Sequence, residues 1–103
     1  MDMKGINLNG SISQWEWYED SYALHLYLHL AILANNNNSK SVWYALCSNQ
    51  VMVTIKDLSR DTGISVKRIR NRLDRLSSTG YISVHTTNRF SLITIHSNEY
   101  IKL

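Results

Sequence analysis

The sequence predicts an α+β chain of three main helices closed by a C-terminal β-hairpin and preceded by an N-terminal arm. Three observations carry this expectation. Residues 58–82, LSRDTGISVKRIRNRLDRLSSTGYI, read as two short helices joined by a glycine turn, the second crowded with arginine. Residues 81–96 hold two β-like runs about a turn-like segment at 86–89. Residues 23–34 form a long apolar stretch of helical character. A pair of helices of this kind is the signature of a helix-turn-helix, and a hairpin directly after its second helix is a wing. The expected plan is therefore a winged helix-turn-helix.

The elements follow in order. Residues 6–17, INLNGSISQWEW, alternate weakly between apolar and polar, so an extended arm within residues 1–18 is expected to pack on the core, with Trp15 and Trp17 on the same side. Glu19, Asp20 and Ser21 then supply acidic and capping groups for a helix running to about Ala34 or Asn35. Its Leu24, Leu26, Leu28, Leu30, Ile32 and Leu33 cover more than one face, which predicts burial on several sides. The polar run at 35–39 reads as a loop. Two short apolar segments, 42–46 and 51–54, suit a strand or hairpin, with a short helical start as the alternative.

Thr54 is placed to cap a helix over residues 55–62, and Gly63 offers the positive φ that would end it. Ser65 can cap the next helix, on which Ile69, Leu73 and Leu76 recur at i, i+4, i+7, with Val66 extending the stripe by a turn. Gly80 is a C-terminal signal. Beyond it Tyr81, Ile82 and Val84 begin a β-like run, and Phe90, Leu92 and the β-branched Ile93, Thr94 and Ile95 form the second. The expectation is one domain over residues 1–103, with its helix-turn-helix at 54–80 and its wing at 81–96.

Composition narrows the function classes. The 103 residues are 44% apolar, enough for one core. The apolar run at 23–34 is broken by His25 and His29 and falls short of the about 20 residues needed to cross a bilayer. The N-terminal MDMKGINLNG has no apolar centre of a secretory signal, and the single Cys47 has no partner for an internal disulfide. A cytoplasmic protein that does not engage a membrane is expected.

The charge of +3 is unevenly spread. Residues 1–50 carry two Lys or Arg against four acids, a balance of −2, whereas residues 51–103 carry nine against four, a balance of +5. Five cations fall within residues 67–75, opposed there only by Asp74. A solvated helix face is the plain alternative, but this density on the second helix of a helix-turn-helix favours a phosphate backbone as partner.

With Ile69, Leu73 and Leu76 inward, Lys67 and Asn71 fall near the opposite side and Arg68 and Arg70 on its flanks. Those four, with Ser65 at the helix start, are the candidates for reaching base edges, because arginine pairs bidentately with guanine and asparagine with adenine. Arg72 and Arg75 are candidates for phosphates; their structural alternatives are an aliphatic stem laid on the core for Arg72 and a pair with Asp74 or Asp61 for Arg75. Asn88 and Arg89 stand at the expected wing tip, where Arg89 could enter a minor groove or simply keep the turn soluble. Lys56 and Arg60 are weaker phosphate candidates.

Three blocks resemble the winged-helix N-terminal domain of phage and mobile-element replication proteins of the DnaD-like, replisome-organiser type. They are WEWYEDSYALHLYLHL at 15–30, NQVMVTIKDLSRDTGISVKRIRNRLDRLSSTGYISV at 49–84 and TTNRFSLITI at 86–95. The resemblance implies double-stranded DNA binding and a role in starting or organising replication of a phage, prophage or plasmid, with replication proteins as further partners. It also implies a bacterial or phage-infected cell. Transcriptional regulation by the same surface and a winged-helix interaction module remain as alternatives.

Other signals point away from chemistry. His25 and His29 are four apart, a spacing that suits two metal ligands, but no third ligand or HExxH pattern accompanies them. No metal and no cofactor are expected. Glycine-rich phosphate loops, Gly-x-Ser-x-Gly and paired carboxylate motifs are absent from the sequence, so no enzyme is expected. The aromatics Trp15, Trp17, Tyr18, Tyr22, Tyr27, Trp43 and Tyr44 lie in the acidic half, which favours burial or a homodimer contact over stacking on single-stranded bases.

Overall fold

The computed structural model describes residues 7–36, 49–96, 98 and 101–102. Among them are three α-helices, a three-stranded antiparallel sheet and a separate two-stranded pair, an α+β arrangement compatible with a winged helix-turn-helix layout. The chain order is β1 (Asn7–Leu8), a 3-10 helix (Gly10–Gln14), α1 (Ser21–Asn36), β2 (Gln50–Val53), α2 (Ile55–Thr62), α3 (Val66–Ser78), β3 (Ile82–Thr86), β4 (Ser91–Ile95) and β5 (Ile101–Lys102).

The described part of the expected arm, from Asn7 on, is extended only at its start. Among the described residues of the arm only Asn7–Leu8 is strand, paired antiparallel with Ile101–Lys102, a contact between distant segments that local pattern does not reveal. The chain then coils, because the Asn9 carboxamide accepts from the Ser11 backbone N–H at 2.9 Å and starts a 3-10 turn. The consequence separates the two tryptophans. Trp15 is buried against the rings of Tyr27 (5.2 Å between centroids) and Tyr81 (5.1 Å), whereas Trp17 is half-buried and its Nε1–H donates to Thr79 Oγ1 at 3.2 Å.

Asp20 caps α1, its Oδ1 accepting from the Tyr22 and Ala23 amides at 3.1 Å each. Ala23, Leu26, Tyr27, Leu30, Ala31 and Ala34 are fully buried and form the centre of the core, with Leu24, Leu28 and Leu33 packed beside them. Ile32, counted among the residues expected to bury several sides of the helix, is 48% exposed. The helix runs to Asn36; the remainder of the polar run expected as loop, the segment at 42–46 and Cys47 lie outside the described residues.

The segment expected as strand or hairpin at 51–54 is strand β2, and it pairs with β4, Val51 opposite Ile93, giving the order β2-β4-β3. Asn49 extends that edge by accepting from the Ile95 N–H at 2.8 Å and donating from Nδ2 to the Ile95 carbonyl at 3.1 Å. The sheet turns Val51, Ile82, Ile93 and Ile95 into the core. On β4 the buried side is Ser91, Ile93 and Ile95, so Leu92 falls on the other, half-buried side.

The helical pair forms as its punctuation predicts. Thr54 Oγ1 caps α2 by accepting from the Asp57 N–H at 3.0 Å, and Gly63 ends it at φ 76°. The three-residue turn 63–65 is anchored by buried Ile64, whose carbonyl accepts from the Ser59 hydroxyl at 2.7 Å. Ser65 caps α3, whose Ile69, Leu73 and Leu76 are buried; Val66, expected to extend that stripe, is 38% exposed. At the far end the Tyr81 N–H returns to the Leu76 carbonyl (3.0 Å) and the Gly80 N–H to that of Ser77 (3.1 Å), with Gly80 at φ 89°. This is a Schellman ending, and it reverses the chain directly into β3.

Candidate nucleic-acid interface

α3 is held by its apolar stripe, so its polar residues must face outward. Lys67, Arg68, Arg70, Asn71 and Arg75 are exposed. Ser65, Lys67, Arg68, Asn71, Arg72 and Arg75 together line an open concavity of about 560 Å³. Ser65 also serves the fold, its Oγ accepting from the Arg68 N–H at 3.3 Å. Among the described residues, Lys67, Arg68, Arg70 and Arg75 take part in no ion pair. Their charge is therefore available to an anionic partner, and the pairing of Arg75 with Asp74 or Asp61 does not occur.

Arg70 belongs to a different face. With Asp74, Ser77 and Leu73 it borders a cleft of about 300 Å³ whose opposite wall is Val84, Thr86 and Ser91 of the hairpin. It thus faces the β3–β4 hairpin, separate from the Lys67–Arg68–Asn71–Arg75 concavity. The turn of the β3–β4 hairpin is ordered by Thr87. Its N–H donates to the Phe90 carbonyl at 2.8 Å, and its hydroxyl accepts from the Arg89 and Phe90 amides at 3.3 Å. Asn88 and Arg89 are exposed at that turn.

Arg72 differs from its neighbours. Its Nε donates to Asp20 Oδ2 at 3.0 Å, with both side chains only 19% exposed, and its Nη1 donates to Asn71 Oδ1 at 2.8 Å. This candidate for a phosphate contact is thus paired with the carboxylate of Asp20, the residue that caps α1. Tyr22, also from α1, lies beneath two guanidinium groups, 4.7 Å from that of Arg68 and 5.5 Å from that of Arg72. Neither Asp20 nor Tyr22 was legible as a site residue. Asp20 reads locally as a helix cap, and the 52 residues separating it from Arg72 leave no spacing signal.

The surroundings shape the field of this face. On the α1 side, Glu16, Glu19 and Asp20 border a neighbouring concavity with Trp17, Tyr22 and Arg72, so the basic surface ends at an acidic rim. Arg60 of α2 is held by Asp57 (3.1 Å) and Asp61 (3.2 Å) at an exposed position, while Lys56 is exposed. Among the described residues no three His, Cys, Asp or Glu side chains are grouped to hold a metal ion. His25 is exposed, and His29 is half-buried with its Nε2 shielded and without a hydrogen bond. No helix among the described residues is long and apolar enough to cross a membrane.

Comparison with protein-family models, with curated proteins and with solved structures returned no match to this chain.

Proposed function

We propose that this chain is a winged helix that binds double-stranded DNA, with α3 as the recognition helix and the β3–β4 hairpin as the wing. The observation that carries the reading is the exposed cationic face of α3, whose Lys67, Arg68, Arg70 and Arg75 make no ion pair among the described residues, on a helix that follows a three-residue turn. Lys67, Arg68, Asn71 and Arg75 meet one groove wall, and Arg70 faces the groove from the wing side. Asn88 and Arg89 touch the flanking backbone or minor groove. The residue blocks that resemble replisome-organiser proteins support origin recognition on a mobile element as the biological setting, with replication proteins as partners.

The test is duplex binding across a salt series, since phosphate contacts release counterions and give a slope of about −0.9 per contact. Replacing Lys67, Arg68 and Arg70 together by alanine is expected to flatten that slope and abolish tight binding. Single Arg70→Ala and Asn71→Ala changes are expected to alter sequence preference at a cost of about 1–3 kcal/mol each. A triple variant that binds as well as the parent sinks the reading.

A further inference from the structure

We propose that Asp20 and Tyr22, at the start of α1, are positioning residues for the basic face of α3: they withdraw Arg72 from phosphate binding and aim Arg68 at the DNA. The inference rests on the DNA-binding reading above and assigns that surface a division of labour.

One carboxylate carries two duties. Asp20 Oδ1 is fixed by the first-turn amides of Tyr22 and Ala23, so Oδ2 has a set place, and Arg72 Nε meets it at 3.0 Å. The pair is largely shielded, with both side chains 19% exposed, and salt screens it less than it would a surface pair. A guanidinium held this way neutralises a phosphate only by leaving its carboxylate. Arg72 therefore releases few counterions, in contrast to exposed Lys67 and Arg75.

Tyr22 supplies the second half of the device. Its ring, 37% exposed, takes Arg68 at 4.7 Å and Arg72 at 5.5 Å. A guanidinium held over a ring face by cation–π attraction spends no hydrogen bond to an acceptor on that contact, and it loses less freedom on binding because part of its motion is already restricted. Arg72 anchored to Asp20 sets where the ring can lie, and the ring sets Arg68. Arg72 also holds Asn71 Oδ1 at 2.8 Å, which leaves Asn71 presenting its Nδ2 donors. Asn71 in this state has its Nδ2 donors turned to an acceptor such as purine N7, while its Oδ1 keeps one lone pair for the second bond of an adenine pairing.

Two substitutions isolate the parts. Asp20→Asn keeps a capping oxygen on α1 while removing the charge that holds Arg72, and Arg72→Met keeps the aliphatic stem while removing the cation. Binding of a fluorescent duplex is measured from 50 to 200 mM salt for the parent, these two variants and Arg75→Ala, each matched to the parent by circular dichroism. Expected is a loss of about 0.9 slope units for Arg75→Ala, little change for Arg72→Met, and a gain of about 0.9 for Asp20→Asn, which frees Arg72.

Tyr22→Ala is expected to lower the ratio of specific to non-specific affinity about fivefold or more with the slope unchanged, and Tyr22→Phe, which retains the ring, to restore it. Arg72→Met losing as much slope as Arg75→Ala, Asp20→Asn leaving the slope where it was, or Tyr22→Phe behaving as Tyr22→Ala would overturn the assignment while the DNA reading stands. A parent without salt-dependent duplex affinity would overturn both.

Discussion

Tyr27 marks the point where the first helix meets the end of the sheet. Its ring is fully buried, its hydroxyl donates to the His96 carbonyl at 2.9 Å, and that hydroxyl oxygen accepts from Asn98 Nδ2 at 3.1 Å. Burial pushes its pKa up from 10.0 to about 12, because the phenolate would lose its hydration; the Asn98 hydrogen bond opposes the shift and nearby Tyr81 adds to it. In the unfolded chain the phenol ionises first, so alkali draws the equilibrium toward that state. Stability from this group is complete below pH 10 and is lost as pH rises toward about 12. Denaturant midpoints taken between pH 9 and 12 are expected to fall in the parent, and to fall less steeply in Tyr27→Phe. The sequence marks Tyr27 as an aromatic for burial, yet its polar partners lie 69 and 71 residues away and carry no local signal. The same separation hides Asp20 from Arg72.

Elements whose limits are written in short-range chemistry were legible. α2 and α3 begin at Thr54 and Ser65, whose hydroxyls take first-turn amides, and Gly63 and Gly80 adopt the positive φ that their places imply. Gly63→Ala is expected to destabilise the chain by about 1–2 kcal/mol, as read from the denaturant midpoint, although open space surrounds the added methyl. The cost comes from the left-handed backbone at φ 76°, so Gly63→Asn is expected to cost less. Where pattern was weak, local reading failed. The alternation in residues 6–17 suggested an extended arm, but Asn9 offers the backbone a competing hydrogen bond and the segment coils into a 3-10 turn. Val66 fits the apolar spacing of α3 but stands in its first turn, beyond the reach of the core.

At the scale of the molecule, β4 joins the parts. It lies between β2 and β3, and Ile93 on it is fully buried opposite Val51 on one side and Val84 on the other. Ile93→Ala is expected to cost about 2–5 kcal/mol, checked by urea unfolding, because a cavity at the middle strand is surrounded by neighbours that cannot all collapse into it. Under the proposed function, duplex binding by the folded fraction is expected to persist, since α3 keeps its own stripe in the core. What the residues determined alone is the set of helices, their caps, the hairpin and the concentration of positive charge in the second half. These rest on hydrogen bonds and periodicities that close within a turn or two. Tertiary structure decided the sheet order, the β1–β5 pairing and which cations of α3 remain available. The last of these depends on α1 packing against α3, where Asp20 takes up the charge of Arg72, while Lys67, Arg68, Arg70 and Arg75 make no ion pair among the described residues. Charge content is a property of composition, but free charge depends on which carboxylate the fold brings within about 3 Å.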